Sequence, residues 1–439
     1  AGLTVDYYSE STPGMYTNKG KTHHNLLYDR GSVVKDRHMA VRALVSSSTD
    51  SEVYYNSLRR FRQRGIDDAA FVHDNELYSD SFVTNSFALG GDDNAVLKNN
   101  KIFGMGYHPI GIGWGRNFLA KDNFIYIWCF APVQRSDEYS RKSSVAGMRF
   151  TNFESSPAEN MIYEGNTIVL KATNNCTMAR GIWTANSSDD KNIIYRHNTV
   201  KTEAMPGNLG VTEHPWDHHL IYYNGDVNNA IAPVTVQGGG STSLIIPDTT
   251  VFEDNRFISN VSHIIIGEGY GIGSGVRFYR NTLEKIGRDS DHKFFYPVRI
   301  GFWYWNTFQN RIIDSILVNL AEEEIKPHFY GGSGNMEISY GKRKTFLFSD
   351  GSGNPVTNRS VTLNMPEGGI SQTELTDAEG KASFDILSVM YYKYGDGKDG
   401  GYSFKNGNID YSSYIFSASG YKPYTWMPSD SETLSLQSE

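Results

Sequence analysis

One short pattern, an asparagine between two apolar segments, recurs along most of the chain. Its clearest copies are Ala95–Ile102 around Asn100 and Phe118–Ile125 around Asn123. Further copies centre on Asn166, Asn198, Asn255 and Asn281, weaker ones centre on Asn56, Asn75 and Asn310, and Gly31 takes the place of the asparagine near the start. The copies are spaced by roughly 25 residues with some longer gaps, which is typical of a solenoid whose coils carry loop insertions.

The segments beside each asparagine are short and rich in Ile, Val, Phe and Tyr, so they predict strands rather than helices. Asparagine tolerates left-handed backbone, and its amide both donates and accepts, so one asparagine per coil can bond to the next in a ladder. A third strand per coil is predicted at Pro109–Gly113, Gly147–Phe150, Pro233–Val236 and Val298–Gly301. Three strands per coil predict an all-β fold, a right-handed parallel β-helix over residues 1–340.

The last quarter of the chain follows a different pattern. Short strands are predicted at Thr345–Phe348, Ser360–Asn364, Ala382–Ile386, Tyr414–Ala418 and Thr433–Leu436. Turn sequences separate them, as in Asp350–Pro355 and Thr376–Lys381, and this spacing predicts a small C-terminal β-sandwich over residues 341–439.

The composition of the chain excludes some classes of partner and predicts where the protein is located. The formal net charge of −8 argues against nucleic acid or an anionic membrane as partner, and no segment approaches the ~20 apolar residues of a membrane span. High aromatic and glycine content indicates a secreted, periplasmic or cell-surface protein. The two cysteines, Cys129 and Cys176, are expected to fill core space rather than to pair. Residues 1–24 contain no helix that could cap the first coil. Either a partner or a missing segment is expected to cover that end of the solenoid, or residues 1–24 cover it themselves.

The first 340 residues resemble the pectate-lyase and polygalacturonase superfamily of parallel β-helix proteins. The resemblance rests on the asparagine pattern and on Gly106–Gly113, where His108 matches the histidine of a polygalacturonase active-site phrase. The aspartate pair of that family has no counterpart in the same place, since Asp92 and Asp93 follow the strand instead of beginning it. The turns of the last quarter, together with Ser419–Lys422, resemble immunoglobulin-like modules akin to carboxypeptidase regulatory domains.

Several groups could carry acid and base chemistry. Asp92 and Asp93 lie one coil after Asp67 and Asp68, so the four carboxylates are expected to stack as a calcium site, an acid/base pair or a solvated turn. The segment 213–219 contains His214, Asp217 and His218 and could serve catalysis, bind a metal or be structural, because imidazole titrates near neutrality. Glu268 lies among glycines at the end of a strand and is a further acid candidate.

Other residues could bind sugar. Arg42, Arg149 and Arg299 alternate with apolar neighbours, so they are expected to point outward onto one face, where salt bridging to the loops is the other interpretation. Gly111 and Gly113 have no side chains and are therefore expected to leave space for a ligand on that face beside His108. The expected substrate-binding residues are Arg149, Arg180, Arg299, Trp114, Trp183, His214 and Tyr222, and tryptophans among them could stack on sugar rings or pack between coils. Three insertions, 131–145, 202–230 and 287–296, are expected to wall the same face.

The sequence therefore predicts a secreted enzyme that cleaves a polysaccharide or complex glycan, with a glycoside hydrolase favoured. Its proton-transfer residues would come from His108, Asp92, Asp93, Asp217, His218 and Glu268. A lyase that acts on a uronate polymer is the second hypothesis, with calcium as the cation it would use. A glycan-binding adhesin or surface fibre component without catalysis is the third.

Overall fold

The structure is a computed structural model. It describes residues 15–16, 20–28, 42–45, 51–59, 64–67, 69–82, 86–90, 93–106, 109–113, 116–130, 144–150, 159–173, 178–186, 191–204, 222–223, 226–227, 230–238, 250–268, 275–287, 296–300, 307–329, 335–365, 370–395, 402–407, 414–427 and 430–439. The chain divides into two compact units. Unit 1 comprises residues 1–309, 315–336 and 394–403, and unit 2 comprises residues 310–314, 337–393 and 404–439.

Unit 1 is the predicted parallel β-helix, in which three sheets each receive one strand per coil. Sheet A contains Met15–Tyr16, Arg42–Val45, Arg64–Asp67, Ser86–Leu89, Pro109–Ile112, Ser144–Phe150, Met178–Asn186, Ala230–Gly238, Ile264–Glu268, Val298–Ile300 and His328–Phe329. Sheet B contains Gly20–His23, Ser51–Tyr54, Phe71–His73, Val96–Lys98, Leu119–Lys121, Glu159–Glu164, Lys191–Arg196, Thr250–Glu253 and Arg277–Tyr279. Sheet C contains Leu26–Tyr28, Ser57–Arg59, Glu76–Phe82, Lys101–Gly106, Phe124–Phe130, Thr167–Thr173, Thr199–Ala204, Arg256–Ser259, Thr282–Lys285 and Ile316–Val318. A short hairpin, Tyr222–Tyr223 with Asp226–Val227, and a 3-10 turn, Glu322–Ile325, complete the unit.

The predicted asparagine ladder is confirmed and lies in the bend between sheets B and C. Asn166 shows the pattern: its Nδ2 donates to Asn198 Oδ1 at 3.0 Å and to the Ala120 carbonyl at 2.9 Å, while its Oδ1 accepts from the Asn123 amide at 2.9 Å and backbone N–H at 3.0 Å. Side-chain bonds of the same kind join Asn25, Asn56, Asn75, Asn100, Asn123, Asn166, Asn198, Asn255 and Asn281. The buried amides are thereby satisfied, which a tight bend in an apolar core requires.

Three details of the sequence-based prediction for this bend are wrong. Asn310 lies inside the strand Thr307–Ile313, and Ser315, which follows Asp314 with φ 54° and precedes the sheet C strand Ile316–Val318, takes the ladder position of that coil. The first ladder position is Asn25, which bonds to Asn56 at 2.9 Å; Gly31, assigned to that place from the sequence, lies outside the described residues. The left-handed backbone belongs to the residue before each ladder asparagine, as at Asn99 with φ 53° and Asp122 with φ 55°. The ladder residue itself is selected for its amide, not for its backbone freedom.

A second asparagine ladder, not anticipated from the sequence, lies on the surface before sheet B. Asn94, Asn117, Asn160 and Asn192 are joined by Nδ2-to-Oδ1 hydrogen bonds of 2.9–3.1 Å. All four have positive φ and are exposed. Because asparagine adopts left-handed backbone readily, this ladder serves the turn rather than a buried amide network.

The interior of the helix is a set of aligned apolar rows. Sheet C contributes Leu77, Ile102, Ile125, Ile168 and Val200, all 0% exposed. Sheet B contributes a stack of rings, in which Tyr163, Tyr195, Phe252 and Phe278 follow one another at 4.7–4.8 Å between centroids. Parallel strands in register place like residues over like, so one favourable stacking contact repeats from coil to coil.

Cys129 is 0% exposed and therefore fills core space as expected, but it is also disulfide-bonded, so the expectation that the cysteines do not pair is wrong. Cys129 lies on a sheet C strand, and Cys176 lies outside the described residues. A cross-link restricts the unfolded chain and thereby stabilises the fold, typically by about 2–4 kcal/mol.

The three insertions lie where the sequence placed them in the coil. Each runs from a sheet C strand to the next sheet A strand: from Phe124–Phe130 to Ser144–Phe150, from Thr199–Ala204 to Ala230–Gly238, and from Thr282–Lys285 to Val298–Ile300. All three therefore connect a sheet C strand to the same edge of sheet A.

Unit 2 is a small β-sandwich. Its four-stranded antiparallel sheet has the order Ile370–Leu375, Ser360–Met365, Tyr414–Ala418, Tyr424–Trp426. Facing it, Met336–Asp350 pairs with Thr433–Leu436 and Lys381–Gly395. The strands Thr307–Ile313 and Tyr402–Gly407 cross the division between the units. The sequence-based boundary at residues 340/341 falls inside the strand Met336–Asp350.

Aromatic rings form the sandwich core. Phe346 from one layer lies 4.9 Å from Phe416 and 5.0 Å from Trp426 of the other layer. Asp385, only 1% exposed, accepts hydrogen bonds from Arg311 at 3.2 Å and from Arg343 at 3.1 Å. A buried carboxylate requires such partners, so this network fixes the packing of unit 2.

Among the residues that the structure describes, no helix has the length and apolar character needed to cross a membrane.

Candidate functional site

Three predicted sugar-binding residues meet on sheet A. Arg149 and Trp183 are in register on the neighbouring parallel strands Ser144–Phe150 and Met178–Asn186. The Cζ atoms of Arg149 and Arg180 lie 4.2 Å and 4.1 Å from the centre of the Trp183 ring system. Both guanidinium groups therefore contact one indole, at a distance typical of cation–π pairs. We call Arg149, Arg180 and Trp183 the arginine–tryptophan cluster.

The electrostatics of this cluster are unusual for arginine. Arg180 is 1% exposed, whereas Arg149 and Trp183 are partly exposed. Burial, and then the positive charge of Arg180, lowers the pKa of Arg149 to about 10. Two like charges held near one ring raise the free energy of the charged state, and an anion bound beside them would lower it.

A row of in-register residues continues the cluster along the solenoid axis. Trp183 pairs with Thr235, Thr235 with Ile265, and Ile265 with Arg299. The Thr235 hydroxyl is fully buried and has no hydrogen-bond partner within the described part of the chain. It is therefore out of reach of a ligand on the surface, and the row is open to solvent only at Arg149 and Trp183.

Arg299 belongs to the row but not to the cluster. Four coils separate it from Arg149, which corresponds to about 19 Å along the axis. It is 3% exposed, and its Cζ lies 5.9 Å from the Tyr296 ring. The expectation that Arg149 and Arg299 both project openly onto the sheet A face is met only in part, because Arg299 is covered. The side chain of Arg42 lies outside the description.

The acid candidates are only partly described. Glu268 ends a sheet A strand in register with Gln237, and its backbone alone is described. Tyr222 lies in the hairpin with Asp226–Val227, again without a described side chain. His108, Asp92, Trp114, His214, Asp217 and His218 lie outside the described residues, so their assignment remains a prediction. Within the described ranges, no group of three or more His, Cys, Asp or Glu side chains could hold a metal ion.

Asp93 is bound in an ion pair. Arg116 donates to its carboxylate from Nε at 2.9 Å and from the backbone N–H at 2.9 Å, and a second guanidinium nitrogen lies at 2.7 Å. The hydrogen bond from the Arg116 side chain lowers the pKa of Asp93. A carboxyl held ionised in this way is a poor proton donor at neutral pH, so the described contacts give Asp93 a structural role at the turn.

Gly111 has a packing role that differs from the sequence interpretation. A Cβ at this position would lie 2.8 Å from the Ile125 Cγ2 atom and would also meet the Gly147 carbonyl oxygen. Ile125 belongs to the buried row of sheet C. The glycine therefore allows sheets A and C to approach each other. It does not serve to leave space for a ligand on the outer face.

One buried histidine was missed by the sequence reasoning. His263 precedes the sheet A strand Ile264–Glu268, is 0% exposed, and lies with Nε2 at 2.8 Å from the Glu284 carbonyl oxygen. Burial lowers the pKa of His263 to about 4. It is therefore neutral at physiological pH and donates its Nε2 proton to that carbonyl, which is a structural role.

This histidine should make the fold sensitive to acid. Between pH 6.5 and about 4 the unfolded chain binds a proton at residue 263 that the folded chain does not, so stability falls as the pH is lowered. We expect wild type to lose about 2 kcal/mol between pH 7 and pH 5 from this group alone. The His263→Gln variant should lack that part of the loss, as measured by urea unfolding at each pH. Identical pH slopes for the two proteins would contradict the assignment.

No family model matches the chain, and no curated protein or solved structure matches it. The function is therefore inferred from the chemistry of the arginine–tryptophan cluster. That cluster offers a partly exposed apolar ring, Trp183, and a partly exposed guanidinium donor, Arg149, with the buried charge of Arg180 beside them. This combination is suited to a hydroxyl-rich ligand with an anionic group.

Proposed function

We propose that this chain is a secreted carbohydrate-active enzyme that cleaves a polysaccharide or complex glycan bound along sheet A, with hydrolysis as the favoured reaction. The observation that carries the proposal is the meeting of Arg149, Arg180 and Trp183 on one face of a parallel β-helix. A pyranose ring has an apolar face of C–H groups and a rim of hydroxyls, which match an indole and a set of directed donors.

The parallel β-helix also provides a sheet that is long enough for a polymer to lie along it. Strands of sheet A stack about 4.8 Å apart, so a polymer that lies along the axis and contacts Arg149 and Trp183 on neighbouring strands would pass successive coils of the sheet. Hydrolysis further needs one carboxyl group that protonates the glycosidic oxygen and a second that activates water or attacks the sugar. Glu268, two coils beyond Trp183 and near the same row, is the candidate for the first role within the described strands, with His108, Asp92, Asp217 and His218 as the remaining candidates.

The disulfide of Cys129 supports export. Disulfides persist in oxidising compartments and are rare in the cytosol, and Cys129 is bonded. A secreted or periplasmic location is also where polysaccharides are degraded.

One observation favours a lyase as the second candidate. Arg149 has a pKa lowered to about 10 by burial and by the charge of Arg180. Two positive groups near one site would neutralise a uronate carboxylate and stabilise the negative charge that develops when the neighbouring carbon loses its proton. The hydrolase and lyase hypotheses therefore share the same binding residues and differ in the reaction. Hydrolysis adds water across the glycosidic bond, whereas a lyase removes the proton beside the carboxylate and expels the glycosidic oxygen, which leaves a carbon–carbon double bond.

A polysaccharide panel tests the proposal and separates the two reactions. The purified chain is incubated with neutral and acidic polymers, and both reducing ends and ultraviolet absorbance are followed. New reducing ends without absorbance indicate hydrolysis, and new reducing ends with absorbance from an unsaturated product indicate a lyase. Binding to a glycan with no cleavage of any polymer would contradict the enzyme and favour an adhesin or fibre component.

A further inference from the structure

A patch of aromatic residues lies on the outer face of sheet C, on a different sheet from the arginine–tryptophan cluster. It consists of Tyr78, Phe103, Met105, Phe124, Tyr126 and Trp128, on three neighbouring strands. We call these six residues the sheet C patch. Along the strands they alternate with Leu77, Ile102, Ile125 and Ile127, which are 0% exposed. Since alternate residues of a strand face opposite sides, the patch points away from the core.

The patch is accessible to solvent. Trp128 is 43% exposed, and the other five side chains are partly exposed. Tyr78, Phe103 and Tyr126 are in register from strand to strand, and the Tyr78 and Phe103 rings stack at 4.7 Å with an angle of 8°. A contiguous apolar surface on a soluble protein is a recognised sign of a binding site, and stacked rings lose little conformational freedom when a ligand binds.

The rim of the patch is positively charged. The Arg59 Cζ atom lies 3.6 Å from the centre of the Tyr78 ring, while Lys101 is in register with Phe124 and Lys171 with Trp128. Two acidic side chains lie among the described neighbours. Glu76 lies 4.0 Å from Arg59 and 3.5 Å from Lys101, and Glu203 is in register with Lys171 and lies 3.0 Å from Lys201. Four cations against two carboxylates make the described rim positive although the whole chain carries −8, so it favours an anionic ligand.

The geometry also favours an extended ligand. Three in-register strands place successive rings about 4.8 Å apart, in a strip that runs along the solenoid axis. A polysaccharide has the matching features, with repeating apolar C–H faces for the rings and carboxylate or sulfate groups for the lysines.

We propose that the sheet C patch is a second, non-catalytic binding surface for an acidic polysaccharide. The choice of a glycan as ligand rests on the proposed function, while the patch and its charge do not. Such a surface would hold one stretch of polymer on the protein and so raise the local concentration of chain at sheet A.

The test compares patch variants with a matched control. Trp128→Ala removes the most exposed ring, and Lys171→Glu reverses a rim charge. Ile316→Ala is the control, because Ile316 is also on sheet C and is 55% exposed but lies outside the patch. Affinity electrophoresis is run in gels that contain polygalacturonate, chondroitin sulfate or, as the neutral polymer, dextran.

We expect wild type and Ile316→Ala to be retarded by at least one acidic polymer and not by dextran. Trp128→Ala and Lys171→Glu should bind that polymer about 10-fold more weakly, in line with the loss of one aromatic or charged contact. Equal retardation of all four proteins, or no retardation of wild type by either acidic polymer, would overturn the proposal. So would a wild-type dimer that Trp128→Ala converts to a monomer, since the patch would then be an interface between copies.

The outcome can be separated from that of the proposed function. If wild type cuts no polymer but patch-dependent retardation remains, the enzyme proposal fails and the binding surface stands. If polymers are cut and the patch variants bind them as wild type does, the enzyme proposal stands and the binding-surface proposal fails. Cleavage of a short oligosaccharide should be unchanged in Trp128→Ala, because a short chain need not reach the patch.

Discussion

Replacement of Asn166 by alanine should destabilise the β-helix by about 3–6 kcal/mol. The substitution removes four side-chain hydrogen bonds, to Asn198, Ala120 and both donors of Asn123. It leaves the Asn123 backbone N–H and one Nδ2 hydrogen of Asn123 without partners, since the other Nδ2 hydrogen donates to the Leu97 carbonyl. These groups lie in a region that is 0–1% exposed, and each orphaned group costs about 1–3 kcal/mol. Denaturant unfolding, followed by circular dichroism, measures the loss as a shift in the midpoint.

The exposed ladder provides the matched control. Asn160 makes two side-chain hydrogen bonds of 2.9 Å to Asn117 and Asn192, but water can replace them. The Asn160→Gly variant keeps the backbone at φ 53° accessible and should cost less than about 1 kcal/mol. If Asn166→Ala is no more destabilising than Asn160→Gly, burial of the ladder does not stabilise the helix as described.

Replacement of Arg149 by methionine should lower kcat/KM on the polymer by about 10–100-fold, because a hydrogen bond from a charged donor contributes about 1.5–3 kcal/mol. Methionine retains an unbranched apolar stem that can pack against Trp183. The substitution also removes a charge whose burial and, after that, repulsion from Arg180 lower the pKa of Arg149. The melting temperature should therefore stay within a few degrees of wild type while the activity falls.

Arg196→Met is the matched control for this variant. Arg196 is on sheet B and pairs with Glu164, so its loss should leave kcat/KM unchanged. Equal activity of Arg149→Met and wild type on a polymer that wild type cuts would remove Arg149 from the binding site. A loss of activity that only follows unfolding would give Arg149 a structural role.

The repeat was predictable from the sequence because the same side chain must recur wherever the same buried bend recurs. The exposed ladder left an equally regular signal, since Asn94, Asn117, Asn160 and Asn192 each precede a ladder asparagine by six residues. The sequence-based prediction assigned one asparagine to each coil and therefore did not include this exposed ladder. The position before each ladder asparagine has left-handed backbone but is harder to recognise in the sequence, because Asp, Asn, His, Tyr, Arg and Gly all occur there.

The site was predictable only in part. Alternation along a strand identified Arg149, and aromatic character identified Trp183, but their contact depends on the register between two sheet A strands that are separated in the sequence by a sheet B strand and a sheet C strand. The burial of Arg180 and Arg299 depends on what packs over sheet A, which no local pattern specifies. The same limit explains His263, whose neutrality follows from complete burial and a carbonyl partner 21 residues away.

A crystal structure of the chain with an oligosaccharide product of its preferred polymer would test the central claim most directly. The account predicts a sugar ring against the Trp183 indole, with hydroxyl or carboxylate oxygens within hydrogen-bond distance of Arg149. A productively bound oligosaccharide at any other sheet, with the arginine–tryptophan cluster unoccupied, would contradict it.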